Sequence, residues 1–483
     1  MKKTLIAIAC MAVSHMMLFG QTGSIGIGTP PAPSAMLHVQ STSKGLLIPR
    51  MTTAQRKAIN NPETGLLVFD TDKNTIYMYD ALKWLPFVYA QNEESLPTRI
   101  VRPASNIDGQ DEFGFSADIS GNHAIVGAPD MDPSASTTGN EDYGGVQFFD
   151  KLNGYWQTNM TVLQPNPNTG AKFGYSVSID GDIAVIGAPF ANVSTSTDEG
   201  KAYVYKRNTT TNNWVLVTEL TGSSASADDH FGYSVAISGN LIVIGAPDDD
   251  VVINGNTHAN QGSAYVFAFN GTSWIQRAKL YTDDGLAGDV FGTSVDIEDK
   301  TTGDFIIVGA PGRNIGANAD EGAAYMYVSL NDPVNWLLSG AELTLSIGAA
   351  NDKFGTCVAV KDGKFAVMAP YHSGAAYAAV YDAGHDEIQR IGLGIAATAP
   401  HGYSIAFNGS ELAIGMNNRT VDGLADAGYV IIYNIDNGLL LFKHIYDPTP
   451  VTGGDFGYAV ALSGYDLIST TFGSREAHFI HIE

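Results

Sequence analysis

The stretch Phe231-Gly-Tyr-Ser-Val-Ala-Ile-Ser238, Gly239-Asn240, Leu241-Ile-Val-Ile-Gly-Ala-Pro247 decides how the rest of the chain is read. Its first run alternates. Its second is continuously apolar and rich in β-branched residues, and a Gly-Asn pair separates the two. Two strands joined by a tight turn have that pattern. A polar loop follows, then Ser263-Ala-Tyr-Val-Phe-Ala-Phe269, a turn at Asn270-Gly271 and Trp274-Ile-Gln-Arg-Ala-Lys-Leu280. One unit therefore holds four antiparallel strands.

The same grammar recurs along the chain. Phe-Gly stands at Phe113-Gly114, Phe173-Gly174, Phe231-Gly232, Phe291-Gly292, Phe354-Gly355 and Phe456-Gly457, and His401-Gly402 fills the gap before the last. The intervals are 60, 58, 60, 63, 47 and 55 residues, which makes seven units. Gly-Ala-Pro follows at 127–129, 187–189, 245–247 and 309–311 and weakens to Met368-Ala369-Pro370. Seven units of four strands predict an all-β fold, a seven-bladed β-propeller. The last unit lacks a fourth strand, and Pro97-Thr-Arg-Ile-Val-Arg-Pro103 is expected to supply it from the N-terminal side.

Composition agrees. Gly makes up 53 of 483 residues, about 11% against a usual ~7%, and only 16% of residues are charged. Such a chain suits short strands and tight turns and excludes a coiled coil or a disordered acidic tail. The net charge of −24 disfavours nucleic acid and anionic lipid as partners. Lys2-Lys3 before the apolar runs Thr4–Val13 and Met16–Phe19 read as a secretory signal over residues 1–20, and no later stretch is long and apolar enough to span a membrane. Cys10 lies too early for a lipoprotein signal, which leaves Cys357 alone and no internal disulfide. The expected setting is extracellular or the outer cell surface.

The Phe-Gly and Gly-Ala-Pro pattern over residues 97–483 resembles the FG-GAP repeats of integrin-α-type propellers, in their shorter bacterial secreted form. That resemblance implies adhesion or another binding function. Integrin-like repeats often carry a calcium loop between the first two strands. Here those links are short, as at Gly121-Asn122, Asp180-Gly181-Asp182 and Gly239-Asn240, and cannot supply six to eight oxygens, so no cofactor is expected and the family's calcium sites are not carried over, though loops converging from neighbouring blades leave Ca²⁺ open. Residues 21–90 form a separate small module, followed by a linker at 91–96. The phrases Met36-Leu-His-Val39, Gly45-Leu-Leu-Ile-Pro-Arg50 and Gly65-Leu-Leu-Val-Phe-Asp70 resemble N-terminal segments of secreted Bacteroidetes proteins and of tail-fibre-like stalks, which implies a homotrimer through residues 24–90. A short helix over 54–59, capped by Thr52 or Thr53, and a hairpin of Thr75–Tyr79 with Trp84–Val88 are expected within it.

In a four-stranded up-and-down blade the links into the Phe-Gly strands and the loops after Gly-Ala-Pro share one face. Sorting the acids this way predicts a strongly acidic, loop-rich face. Asp130, Asp132, Glu141, Asp198, Glu199, Asp248, Asp249, Asp250, Asp320 and Glu321 lie on its loops, and Asp108, Asp111, Asp229, Asp289 and Asp352 on its links. Asp130, Asp132, Asp198, Glu199, Asp248, Asp249, Asp250, Asp320 and Glu321 are the candidate ligand-binding residues, for a glycan or protein. A solvated face would look the same. Trp156, Trp214, Trp274 and Trp336 repeat at one structural position, which points to packing between blades rather than sugar stacking. Cys357 replaces the Ser of Phe231-Gly-Tyr-Ser and reads as a small core residue. No metal-ligand spacing of histidines is present, and no catalytic residue is assigned. Three functions are weighed: a non-enzymatic binding or adhesion protein, an extracellular polysaccharide lyase or hydrolase, and a trimeric stalk that presents propellers.

Overall fold

The computed structural model describes residues 18–21, 24–27, 37–39, 46–72, 75–79, 84–86, 98–101, 111–132, 142–166, 168–300, 303–329, 334–371, 376–393, 404–436 and 440–482. Most of the expected signal over residues 1–20, the expected linker 91–96, Asp108, Glu141 and His401-Gly402 lie outside these residues. The chain divides into two units, Met1–Glu94 and Ser95–Glu483.

In the first unit Leu18–Gln21, Ser24–Ile27 and Leu37–Val39 form one sheet, and Arg50–Met51, Leu67–Asp70, Thr75–Tyr79 and Trp84–Pro86 a second. The helix runs Thr53–Lys57, starting one residue and ending two residues earlier than expected. Thr52 caps it: its hydroxyl accepts from Gln55 N, while Gln55 Oε1 accepts from Thr52 N at 2.9 Å. This reciprocal box satisfies two free amides at the helix start. Arg56 and Asp70, both buried, pair at 2.8 Å, and the guanidinium lies over the Tyr77 ring at 3.7 Å.

In the second unit the β-branched runs form seven four-stranded antiparallel sheets among the described residues. The third is typical, with Ser234–Ser238, Leu241–Ala246, Ser263–Phe269 and Trp274–Leu280 in that order. A small hairpin, Val251–Ile253 with Asn256–His258, fills the loop after its Gly-Ala-Pro. In the seventh sheet Thr98–Val101 is the fourth strand, antiparallel to Glu476–His481 with Glu476 opposite Val101. A segment hundreds of residues away in sequence thereby covers an edge that would otherwise expose its amides.

Each sheet buries both faces. Seven apolar clusters form, each shared by two sheets, including one between the seventh and the first that holds Phe113, Ile119, Ile468 and Phe479. The repeat motif is what lets neighbouring sheets touch. The Phe of every described Phe-Gly is fully buried. Within a sheet, Gly232 N donates to Gly245 O at 3.0 Å. Across the joint, Ser234 Oγ donates to Gly292 O at 2.8 Å. Ser116, Ser176, Ser294 and Ser404 make the same bond at their joints, and Thr470 makes it to Gly114 O at 2.6 Å between the seventh and first sheets. A Cβ on Gly245 would lie 2.0 Å from Gly292 O. The Gly of Gly-Ala-Pro is therefore required by the Phe-Gly of the next unit.

Candidate functional site

The loop-face acids are built into the loops more than they are presented by them. Asp198 and Asp320 precede Glu199-Gly200 and Glu321-Gly322, with φ of 50° and 53°. Asp142, Asn260 and Asp426 hold the same left-handed conformation two residues before a Gly, a backbone region that Asp and Asn tolerate. The carbonyls of Asp198 and Asp320 accept from His230 N and Lys353 N, both at 3.2 Å, and those of Glu199 and Glu321 accept from Phe231 N and Phe354 N, both at 2.9 Å. This segment staples each loop to the following Phe-Gly. Glu199 and Glu321 are buried, and Glu321 Oε2 accepts from Asn318 Nδ2 at 2.7 Å.

The Asp248-Asp249-Asp250 cluster splits three ways. Asp249 is only 2% exposed and takes Ser263 Oγ at 2.5 Å, Tyr265 OH at 2.8 Å and Lys279 Nζ at 2.7 Å. Asp248 pairs with His230 Nδ1 at 2.6 Å. Burial pulls His230 down, but the bond and charge of Asp248 outweigh it and hold the ring above its ordinary range. Asp250 is exposed and accepts from Asn260 N at 2.9 Å. Asp130 pairs with Lys172, Asp320 pairs with Lys353 at 2.9 Å, and Asp132 is half-buried. Glu199, Asp249 and Glu321 are buried within the loops, where Asp249 and Glu321 accept side-chain hydrogen bonds. The link acids behave alike: Asp229, Asp289 and Asp352 accept from Ser226 N at 2.5 Å, Leu286 N at 2.9 Å and Ala349 N at 2.6 Å.

A cavity of about 710 Å³ is lined by the first strands of all seven sheets. Asp118, Ser178 and Asp296 face it from one layer, where other units carry Ala236, Ala359, Ala406 and Ala461. Each reaches the next sheet: Asp118 Oδ2 accepts from Ile179 N at 2.7 Å, Ser178 Oγ accepts from Ile237 N at 3.2 Å, and Asp296 Oδ2 accepts from Val360 N at 2.7 Å. Burial raises Asp118 to about 6 and Asp296 to about 7 against the lowering effect of those bonds. A second layer does the same at the turns, with Gly181 N on Ser120 Oγ, Gly239 N on Asp180 Oδ2 and Gly121 N on Ser463 Oγ. Sequence reasoning passed over Asp118 and Asp296. The signal was there: a carboxylate five residues after Phe, in a slot that four other units fill with Ala.

The indoles pack between sheets as expected. Trp214 stacks on Phe148 of the preceding sheet at 4.4 Å and 9°, and Trp156 stacks on Phe479 at 4.7 Å. Burial pushes the Cys357 thiol up to about 12, which keeps it protonated at ordinary pH.

Comparison with known proteins matches residues 24–99 to the phage tail like trimerisation region. Residues 156–205, 214–267 and 274–327 match the FG-GAP repeat. The chain carries FG-GAP repeats behind a tail-like trimerisation region. No curated protein matches it. Among solved structures, the crystal structure of the Saccharomyces cerevisiae Sqt1 is similar at 9% identity and a TM-score of 0.42, over 80% of this chain and 99% of that one. No described helix is long and apolar enough to cross a membrane.

Proposed function

We propose that this is an exported, non-enzymatic surface protein in which residues 24–99 trimerise and residues 97–483 form a closed seven-bladed β-propeller that binds a glycan or protein. The observation that carries the reading is the pairing of a trimerisation region with FG-GAP repeats in one chain. The closed propeller is supported by the apolar cluster shared by the seventh and first sheets and by the Thr470 bond to Gly114 O. Export rests on Lys2-Lys3 and the apolar run behind them. Three copies would multiply a weak contact through avidity, which suits attachment to a repetitive surface. A lyase or hydrolase is not favoured: of the carboxylates lining the cavity, Asp118, Asp180 and Asp296 accept from backbone amides and Glu411 accepts from Asn408 Nδ2.

Sedimentation equilibrium of the chain starting at Gln21 tests the reading. A mass three times that of one chain is expected, and deletion of residues 21–96 is expected to give a folded monomer. A monomeric longer chain would sink the proposal. Retention of the trimer on immobilised polysaccharides and matrix proteins, with no released sugar fragments, tests the binding half, and fragments in the supernatant would turn the reading to an enzyme.

A further inference from the structure

The joint between the sixth and seventh sheets departs from the others in one layer. In the second, third and fourth sheets the third strand places Tyr203, Tyr265 and Tyr325 there, opposite Ile186, Ile244 and Val308. Each tyrosine is buried and each hydroxyl is hydrogen-bonded, to Gln164, Asp249 and Glu342 respectively. In the seventh sheet the same register position, opposite Ser469, is His478. Two residues earlier, on the same face of the strand, stands Glu476. Asp447 comes in from the end of the outer strand Leu440–Tyr446 of the sixth sheet.

One ligand atom from each of Asp447, Glu476 and His478 lies within 4.8 Å of the other two. All three residues are buried, at 4%, 5% and 0% exposure. Neither ring nitrogen of His478 has a hydrogen-bond partner, and neither has the buried Ser469 hydroxyl across the strand pair. The imidazole is walled in by the Phe456 ring at 5.2 Å. A buried imidazole with both nitrogens unsatisfied is costly unless something binds there. His478 Nε2 lies 3.4 Å from Glu476 Oε2. That is longer than the ~2.8 Å of a charge-assisted hydrogen bond. It equals the edge of a tetrahedron whose centre lies about 2.1 Å from each ligand, the bond length of Zn²⁺ to nitrogen and carboxylate oxygen.

We propose that Asp447, Glu476 and His478 form a divalent transition-metal site, of Zn²⁺ type, that clamps the sixth sheet to the seventh. One imidazole and two carboxylates suit Zn²⁺ better than Ca²⁺, which takes oxygen ligands alone. Three protein ligands leave one tetrahedral position for water or the Ser469 hydroxyl. Binding would neutralise two buried carboxylates and tie down the sheet that depends on a strand from far upstream.

The test uses the untagged full chain from Gln21, stripped with chelator and reloaded with Zn²⁺ or, for its absorption spectrum, Co²⁺. One equivalent of Zn²⁺ per chain after gel filtration, tetrahedral Co²⁺ bands and a melting temperature raised by Zn²⁺ are expected. His478→Gln, which copies the Gln147 of the first sheet, and Asp447→Asn should each fold but lose the equivalent, the bands and the Zn²⁺-dependent shift. Should His478→Gln fail to fold, Asp447→Asn carries the comparison, and wild-type stoichiometry stands independently. A folded wild-type chain that retains no metal, or variants that retain as much as wild type, would overturn the site.

Discussion

At the residue before each described Phe-Gly the backbone is left-handed, with φ between 51° and 57° at Glu112, Lys172, His230, Val290, Lys353 and Asp455. Five of these are unbranched at Cβ. Val290 is branched there, where the branch collides with its own carbonyl, so the fold holds it at a cost. Val290→Asn should stabilise the protein by about 1 kcal/mol, read as a higher urea midpoint at unchanged slope. The Ser three residues after Phe113, Phe173, Phe231 and Phe291 has the opposite sign. Ser234→Ala strands the carbonyl of Gly292 and should cost about 1–2 kcal/mol by the same measurement. Cys357, at the equivalent position and partly buried, should react with a thiol reagent far more slowly in the folded than in the unfolded chain, because burial raises its pKa.

The working element is the joint rather than the sheet. A strand pair within a sheet satisfies its own amides, but two sheets face to face have no ladder between them. The joint supplies one with short parallel bridges, such as Gly262 to Phe291, and with side chains that reach across to backbone. Gly262 has a φ of 83°, and a Cβ there would stand 2.1 Å from Phe291 O. Gly262→Ala should therefore cost about 3 kcal/mol or more, well beyond the usual price of an added methyl, and show as a melting temperature lower by several degrees. Gly288→Ala, with nothing within 4 Å of its Cβ, isolates the backbone part of the effect.

Over the whole molecule, stability should depend on pH in one direction. Asp118, Asp229 and Asp455 are raised to about 6 and Asp296 to about 7, in each case first by burial. An acid whose pKa is higher folded than unfolded binds its proton more tightly in the native state, so stability falls as pH rises from the unfolded value near 4 to the folded one. His230, also raised, loses its contribution as pH rises as well. The net charge of −24 adds self-repulsion of the same sign. Melting temperature should therefore decline from pH 5 to pH 8, and Asp296→Asn should flatten the upper end of that decline; a profile rising over this range would mean that these acids are ionised in the folded chain. Closure by an upstream strand has its own consequence. A chain beginning at Pro103 loses Thr98–Val101 and should melt at least ~5 °C below one beginning at Pro97, with the bared edge of Glu476–His481 prone to association.

Period and spacing alone determined the strands, their grouping in fours, the partner for the last sheet and the inward packing of the tryptophans. These follow from side-chain alternation and turn chemistry, which are local and repeat with the chain. The acids did not yield to the same reading. Charge counted by loop picked out Glu199, Asp249 and Glu321, and the fold buries all three, with Asp249 against two hydroxyls and a lysine and Glu321 against Asn318. Asp118 and Asp296 gain their meaning only when seven first strands come together around a cavity, and Asp447, Glu476 and His478 only when the sixth sheet meets the seventh. Local pattern reports which way a side chain leaves its strand. What waits on that side belongs to a segment tens or hundreds of residues away, and only tertiary packing supplies it.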